Sequence, residues 1–81
     1  MQQASRLKEF RAIRDLTLTE GWTFLRQFIE RRMAEAGRRL LDTDASEVSQ
    51  IAQAQGFVKA CREILNHVDF CVKGAEPGGE A

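Results

Sequence analysis

Between Ile51 and Val72 the apolar residues Ile51, Ala54, Val58, Cys61, Leu65, Val68 and Val72 recur at alternating steps of three and four without a fault. That spacing puts all seven on one stripe of a helix and none on one face of a strand, whose period is two. The repeat runs for three heptads and has the form of a coiled-coil seam. Phe57, Ile64 and Cys71, seven apart, form a second apolar row beside it. No proline interrupts residues 1–76, and the chain has no tyrosine and no long β-branched run. The chain reads as all-α.

A second periodic stretch precedes it. Leu18, Trp22, Leu25, Ile29, Met33, Ala36 and Leu40 follow steps of three or four, with Phe24 and Phe28 on an adjacent face. Upstream, Leu7, Phe10 and Ile13 predict a shorter helix. Thr17, with Glu20 three residues on, has the form of a capping box. Asp44 with Glu47 has the same form before the last helix. Helices are expected over about 3–15, 18–41 and 45–72, in one domain spanning 1–73. Residues 74–81, with Pro77, Gly78 and Gly79, read as a flexible tail. The short turn Asp42-Thr43-Asp44 predicts an antiparallel, coiled-coil-like helical hairpin with an additional short N-terminal helix. Pairing about that turn, partner numbers sum to about 86, so Leu25 is expected to meet Cys61 and Trp22 to approach Ile64 and Leu65. Gly37 and Gly56 each cost a mid-helix position roughly 1 kcal/mol. Close helix–helix approach is the compensation expected there.

A domain of 81 residues is marginal alone and ordinarily needs a staple. Cys61 and Cys71 would lie about 15 Å apart along one helix, too far for a disulfide. Two unpaired thiols fit a reducing compartment. His67 is the only histidine, and no metal-ligand spacing surrounds it. Neither a metal nor another cofactor is expected. Oligomerisation is the staple left. The polar N-terminus, Met1 to Lys8, does not read as a signal peptide. No stretch reaches the roughly 18 apolar residues of a membrane span. The expected location is the cytoplasm.

The net charge is zero, but nine Lys/Arg and five acids fall in residues 1–41, and three against seven in 42–81. Attraction between the two long helices is the plainer account. An arginine set remains: Arg31, Arg32, Arg38 and Arg39 form two ridges seven residues in pitch. Such a face suits phosphate contacts. The pI near 6.6 is low for a DNA-binding module, and nucleic acid is therefore the lesser expectation. Glu30 and Glu35, flanked by Arg31 and Arg32, read as solvated ion pairs and not as an acid/base couple. Cys71 lies four residues from His67, the spacing of a candidate thiolate–imidazole pair, although Cys71 also fits its apolar row. Cys61 and Trp22 read as core. No phosphate loop or Ser/His/Asp set is present, and no small-molecule substrate is expected. The chain reads as a non-enzyme.

The stretch Leu18-Thr19-Glu20-Gly21-Trp22, the basic apolar helix ending Leu40-Leu41-Asp42, then Ala54-Gln55-Gly56-Phe57 and Cys61-Arg62-Glu63-Ile64-Leu65 resemble small proteins encoded among the structural genes of tailed bacteriophages. Those proteins are similar in carrying Gly-Trp near the start of one helix, and Gln-Gly before an Arg-Glu-Leu-Leu-like ending in the next. The resemblance spans about residues 16–68. It departs at Phe57, where a basic or small residue would fit. It implies a virion or assembly component in many copies and carries over no catalytic residue.

The hairpin has more apolar surface than one interface consumes. Either the first helix folds back over part of it, or other chains do. The expectation is a structural protein that self-associates or docks on a larger virion assembly, at the head, portal or tail junction. Its expected interface residues are Leu7, Phe10, Ile13, Phe24, Phe28 and Ile64. The alternative is a nucleic-acid-binding regulator or DNA-packaging accessory using Arg31, Arg32, Arg38 and Arg39.

Overall fold

The computed structural model describes residues 2–75 and is all-helical over them. Helix α1 spans Gln2–Thr17, α2 Glu20–Asp42 and α3 Val48–Ala75. Both α1 and α2 pack on α3, and they touch each other only slightly.

The boundary between α1 and α2 is made by threonines. Thr17 Oγ1 donates to the Arg14 carbonyl at 2.6 Å, and Thr19 Oγ1 to the Leu16 carbonyl at 2.7 Å. Leu18 N–H and Thr19 N–H reach back three residues, to Asp15 and Leu16, which tightens the last turn. Thr19 is extended and its hydroxyl accepts from Trp22 N–H at 3.2 Å. The N-cap of α2 is therefore Thr19 and not the expected Thr17. Glu20 becomes the first helical residue, where its charge still suits the helix N-terminus.

The second boundary also differs from the expectation. Asp44 does not cap α3. Its Oδ1 accepts from Ser46 N–H at 3.0 Å, which closes a local turn instead. Glu47 N–H bonds the Asp44 carbonyl, and α3 begins only at Val48. The connection is longer than the sequence suggested, so its centre moves from Thr43 to Ala45. Between the two helices Arg26 meets Asp69 at 3.6 Å, and the Arg32 guanidinium lies over the Phe57 ring.

The core sits where α1 and α2 both cover α3. Trp22, Leu65 and Val68 are buried together, with Ile13, Ile29, Met33 and Val72 packed around them. Cys71 and Ala75 complete the buried stripe of α3. Toward the α2–α3 connection only two helices meet, and Ile51, Ala54 and Val58 remain half-buried.

The first helix folds back onto α3. Phe10 makes an edge-to-face contact with Phe70, ring centroids 5.5 Å apart; such a pair contributes roughly 0.5–1.5 kcal/mol beyond burial. The glycine expectation fails at its chosen positions. A Cβ on Gly37 or Gly56 would meet nothing within 4 Å. Gly74 is the close approach, against the Phe10 ring. Gly74 and Ala75 continue α3 into the segment expected to be tail, because Phe10 packs there and Ala75 is buried. The rest of that segment, 76–81, lies outside the described residues.

Candidate functional site

Two places on this scaffold concentrate features that packing alone does not use. The first is an apolar row along the α2–α3 pair. On α2, Leu25, Phe28 and Arg32 are spaced three and four apart and share a stripe. On α3, Phe57 and Ile64 are seven apart and share another. The Arg32 guanidinium, 5.8 Å from the Phe57 ring centroid, joins the two stripes on one side of the molecule. Leu25, Phe28, Phe57 and Ile64 are all exposed, Phe28 and Ile64 by 52% and 54%. Phe24, on the turn before Phe28, is exposed as well.

The six expected interface residues divide. Phe24, Phe28 and Ile64 are open to solvent. Phe10 and Ile13 are turned inward, against Phe70 and against the Trp22 cluster. Leu7 lies at the edge, 37% exposed.

The four arginines also divide. Arg32 is engaged with Glu35 at 3.4 Å and with the Phe57 ring. With Arg39 it lines a groove whose other wall includes Gln50, Gln53 and Phe57. Arg31 and Arg38 are exposed on the neighbouring stripe. Glu30 pairs with Arg26 and Glu35 with Arg32, the solvated ion pairs the sequence predicts. Exposed pairs of this kind contribute at most about 1 kcal/mol.

The second place is polar. His67 and Cys71, four apart on α3, are joined by Glu9 from α1. His67 Nε2 lies 3.5 Å from Cys71 Sγ and 3.5 Å from Glu9 Oε1. Cys71 is fully buried, while the side chains of Glu9 and His67 are more than half exposed. Burial, and secondarily the negative charge of Glu9, push the Cys71 thiol up. A nucleophilic thiol needs the opposite shift. Sequence reading found the His67–Cys71 pair and missed Glu9. The helical spacing of the pair is a local signal, whereas Glu9 arrives through the tertiary packing of α1. The expectation that His67 stands without neighbouring ligand groups is thereby corrected.

No protein-family model, no curated protein and no solved structure matches this chain.

Proposed function

We propose that the chain is a non-enzymatic assembly protein, which binds other protein chains through the row formed by Leu25, Phe28, Phe57 and Ile64. The supporting observation is that four large apolar side chains on two helices remain exposed along one side. Isolated surface leucines are ordinary, but a shared row on two helices is what an interface core requires. In this reading α2 and α3 form an antiparallel hairpin. The pairs Arg26–Asp69 and Arg32–Phe57 support it, because the contact moves down α3 as it moves up α2.

The proposed setting is a bacteriophage particle or its assembly in the host cytoplasm, and it rests on the resemblance of residues 16–68 alone. Phe10 and Ile13 leave the proposed interface, because α1 uses them against α3. The alternative, a nucleic-acid-binding regulator or packaging accessory, loses part of its face to the Arg32 contacts with Glu35 and Phe57.

The test is the solution mass by light scattering across a tenfold dilution, for the wild type and for F28D/I64D. Both positions are exposed, so the variant should keep its helix content. A dimer or larger species in the wild type, lost in the variant, is the expected result. A wild-type monomer of 9.2 kDa that also captures no phage structural protein would sink the reading. Duplex DNA binding with a steep salt dependence would favour the alternative instead.

A further inference from the structure

Glu9, His67 and Cys71 bring a carboxylate, an imidazole and a thiol to one place, and their ligand atoms all lie within 4.8 Å of one another. Three features of α1 and α3 produce this. The four-residue spacing of His67 and Cys71 stacks them on one face of α3. The Phe10–Phe70 contact docks α1 on the same end of α3. The missing side chain of Gly74 lets the Phe10 ring approach closely, which seats the neighbouring Glu9 beside His67.

A hydrogen-bonded relay is a poor description of the cluster. Both 3.5 Å approaches converge on the same atom, His67 Nε2. A ring nitrogen carries either a hydrogen or a lone pair, so it cannot accept from the thiol and donate to the carboxylate at once. In a nucleophile–histidine–carboxylate set the two partners take opposite ring nitrogens. The N···O distance of 3.5 Å is also long for a hydrogen bond.

A shared cation accounts for both distances. Zinc bonds thiolate sulfur at about 2.3 Å, imidazole nitrogen at about 2.0–2.1 Å and carboxylate oxygen at about 2.0–2.2 Å. Tetrahedral angles then set the ligand separations at about 3.6 Å for S···N and about 3.4 Å for N···O. The two separations at His67 Nε2, 3.5 Å each, are nearly those values, and the third, S···O, lies within 4.8 Å and closes to the tetrahedral value of about 3.6 Å by a turn of the exposed Glu9 side chain. The mixed donor set is borderline in softness, which suits zinc better than magnesium or calcium.

We propose that Glu9, His67 and Cys71 form a three-ligand Zn2+ site that clamps α1 to α3, with its fourth position open to solvent on the exposed Glu9–His67 side. Binding displaces the Cys71 proton to solvent as the Zn–S bond forms, so affinity rises with pH. The site would supply the staple that a chain of this length needs. It is independent of the apolar row and of the assembly reading.

Cobalt is the probe, because zinc has no visible spectrum. Co2+ is titrated into the reduced full-length chain near neutral pH. The expected result is one equivalent bound, with a thiolate-to-cobalt charge-transfer band, visible bands of four-coordination and displacement by Zn2+. H67A and C71A should lose the charge-transfer band, and C61A should keep it. E9Q should bind at least about tenfold more weakly, since even outer-shell changes weaken metal sites by that factor. Glu9 and His67 are exposed, so E9Q and H67A test the site without threatening the fold. The wild-type melting temperature should also rise with Zn2+ concentration. Absence of the band with excess Co2+, or a band that survives H67A and C71A but disappears in C61A, overturns the proposal.

Discussion

The Phe10 ring rests against the backbone of Gly74 so closely that a Cβ on Gly74 would lie 2.6 Å from Phe10 Cδ2. This contact joins the first helix to the end of the third. It also reverses the ordinary effect of replacing a helical glycine by alanine.

G74A should therefore destabilise the fold by about 1–2 kcal/mol, the cost of overpacking outweighing better helix propensity. G37A and G56A, where a Cβ meets open space, should each stabilise it by about 0.5–1 kcal/mol. Thermal or urea denaturation of the three variants decides the matter. A stabilised G74A would mean that Phe10 does not hold its place.

Ile13 packs on the Trp22–Leu65–Val68 cluster, and Phe10 packs on Phe70. Replacing both with Asp should cost roughly 2 kcal/mol or more and lower the helix content. Circular dichroism through a melt reads both quantities. Unchanged helicity with weakened self-association would return α1 to the list of partner-binding elements.

Thr19 links two helices through one hydroxyl, which donates to the Leu16 carbonyl and accepts from Trp22 N–H. T19A should lose about 1 kcal/mol, as cap removals do. T17A removes only a hydroxyl bonded back to the Arg14 carbonyl and should cost less. Equal losses in urea melts would mean that the capping assignment is wrong.

The Cys71 thiol is pushed up by its burial and by Glu9. A group whose folded pKa exceeds its unfolded value holds its stabilisation below the unfolded pKa, about 8.5 for a thiol. It loses that stabilisation as pH climbs through the folded value. In chelator-treated, metal-free buffer, wild-type stability should decline on the alkaline side, and C71A should flatten the decline. Cys61, half-buried, should be alkylated well before Cys71.

Asp44 titrates in the other direction. The Ser46 backbone N–H, and then the Ser46 side chain, hold its carboxyl below the usual range. Its contribution is present above the unfolded value near 3.9 and fades as pH falls through the lower folded one. An NMR titration should place Asp44 below the ordinary carboxyl value, and S46P should raise it toward that value.

Much of this fold is legible in the sequence because helical spacing is a local property. The faultless seam from Ile51 to Val72 marks α3, and the apolar steps from Trp22 to Leu40 mark α2. Capping was less legible. Thr17 and Thr19 are equally good N-cap residues, and only the tightened turn at Leu18 chooses between them. Asp44 fits a cap and a turn alike, and the choice of the turn moved the start of α3 to Val48. The exposed Phe24, Phe28 and Ile64 follow from a count of apolar faces. The inward turn of Phe10 and Ile13 does not, because it depends on where α1 docks. Glu9 was missed for the same reason: its neighbours His67 and Cys71 stand at the far end of the described chain.

That α1 and α2 both rest on α3, and hardly on each other, sets the order of events at the ribosome. The helix that organises the fold is synthesised after both helices that rest on it. At ordinary translation speeds α1 waits on the order of seconds before its docking surface exists. During that interval Phe10 and Ile13 lack their partners on α3. In a polysome, where copies emerge side by side, the first α3 to reach them can belong to a neighbour. This fold cannot close until α3 has emerged, and an exchange of α1 between nascent copies is the error its topology invites.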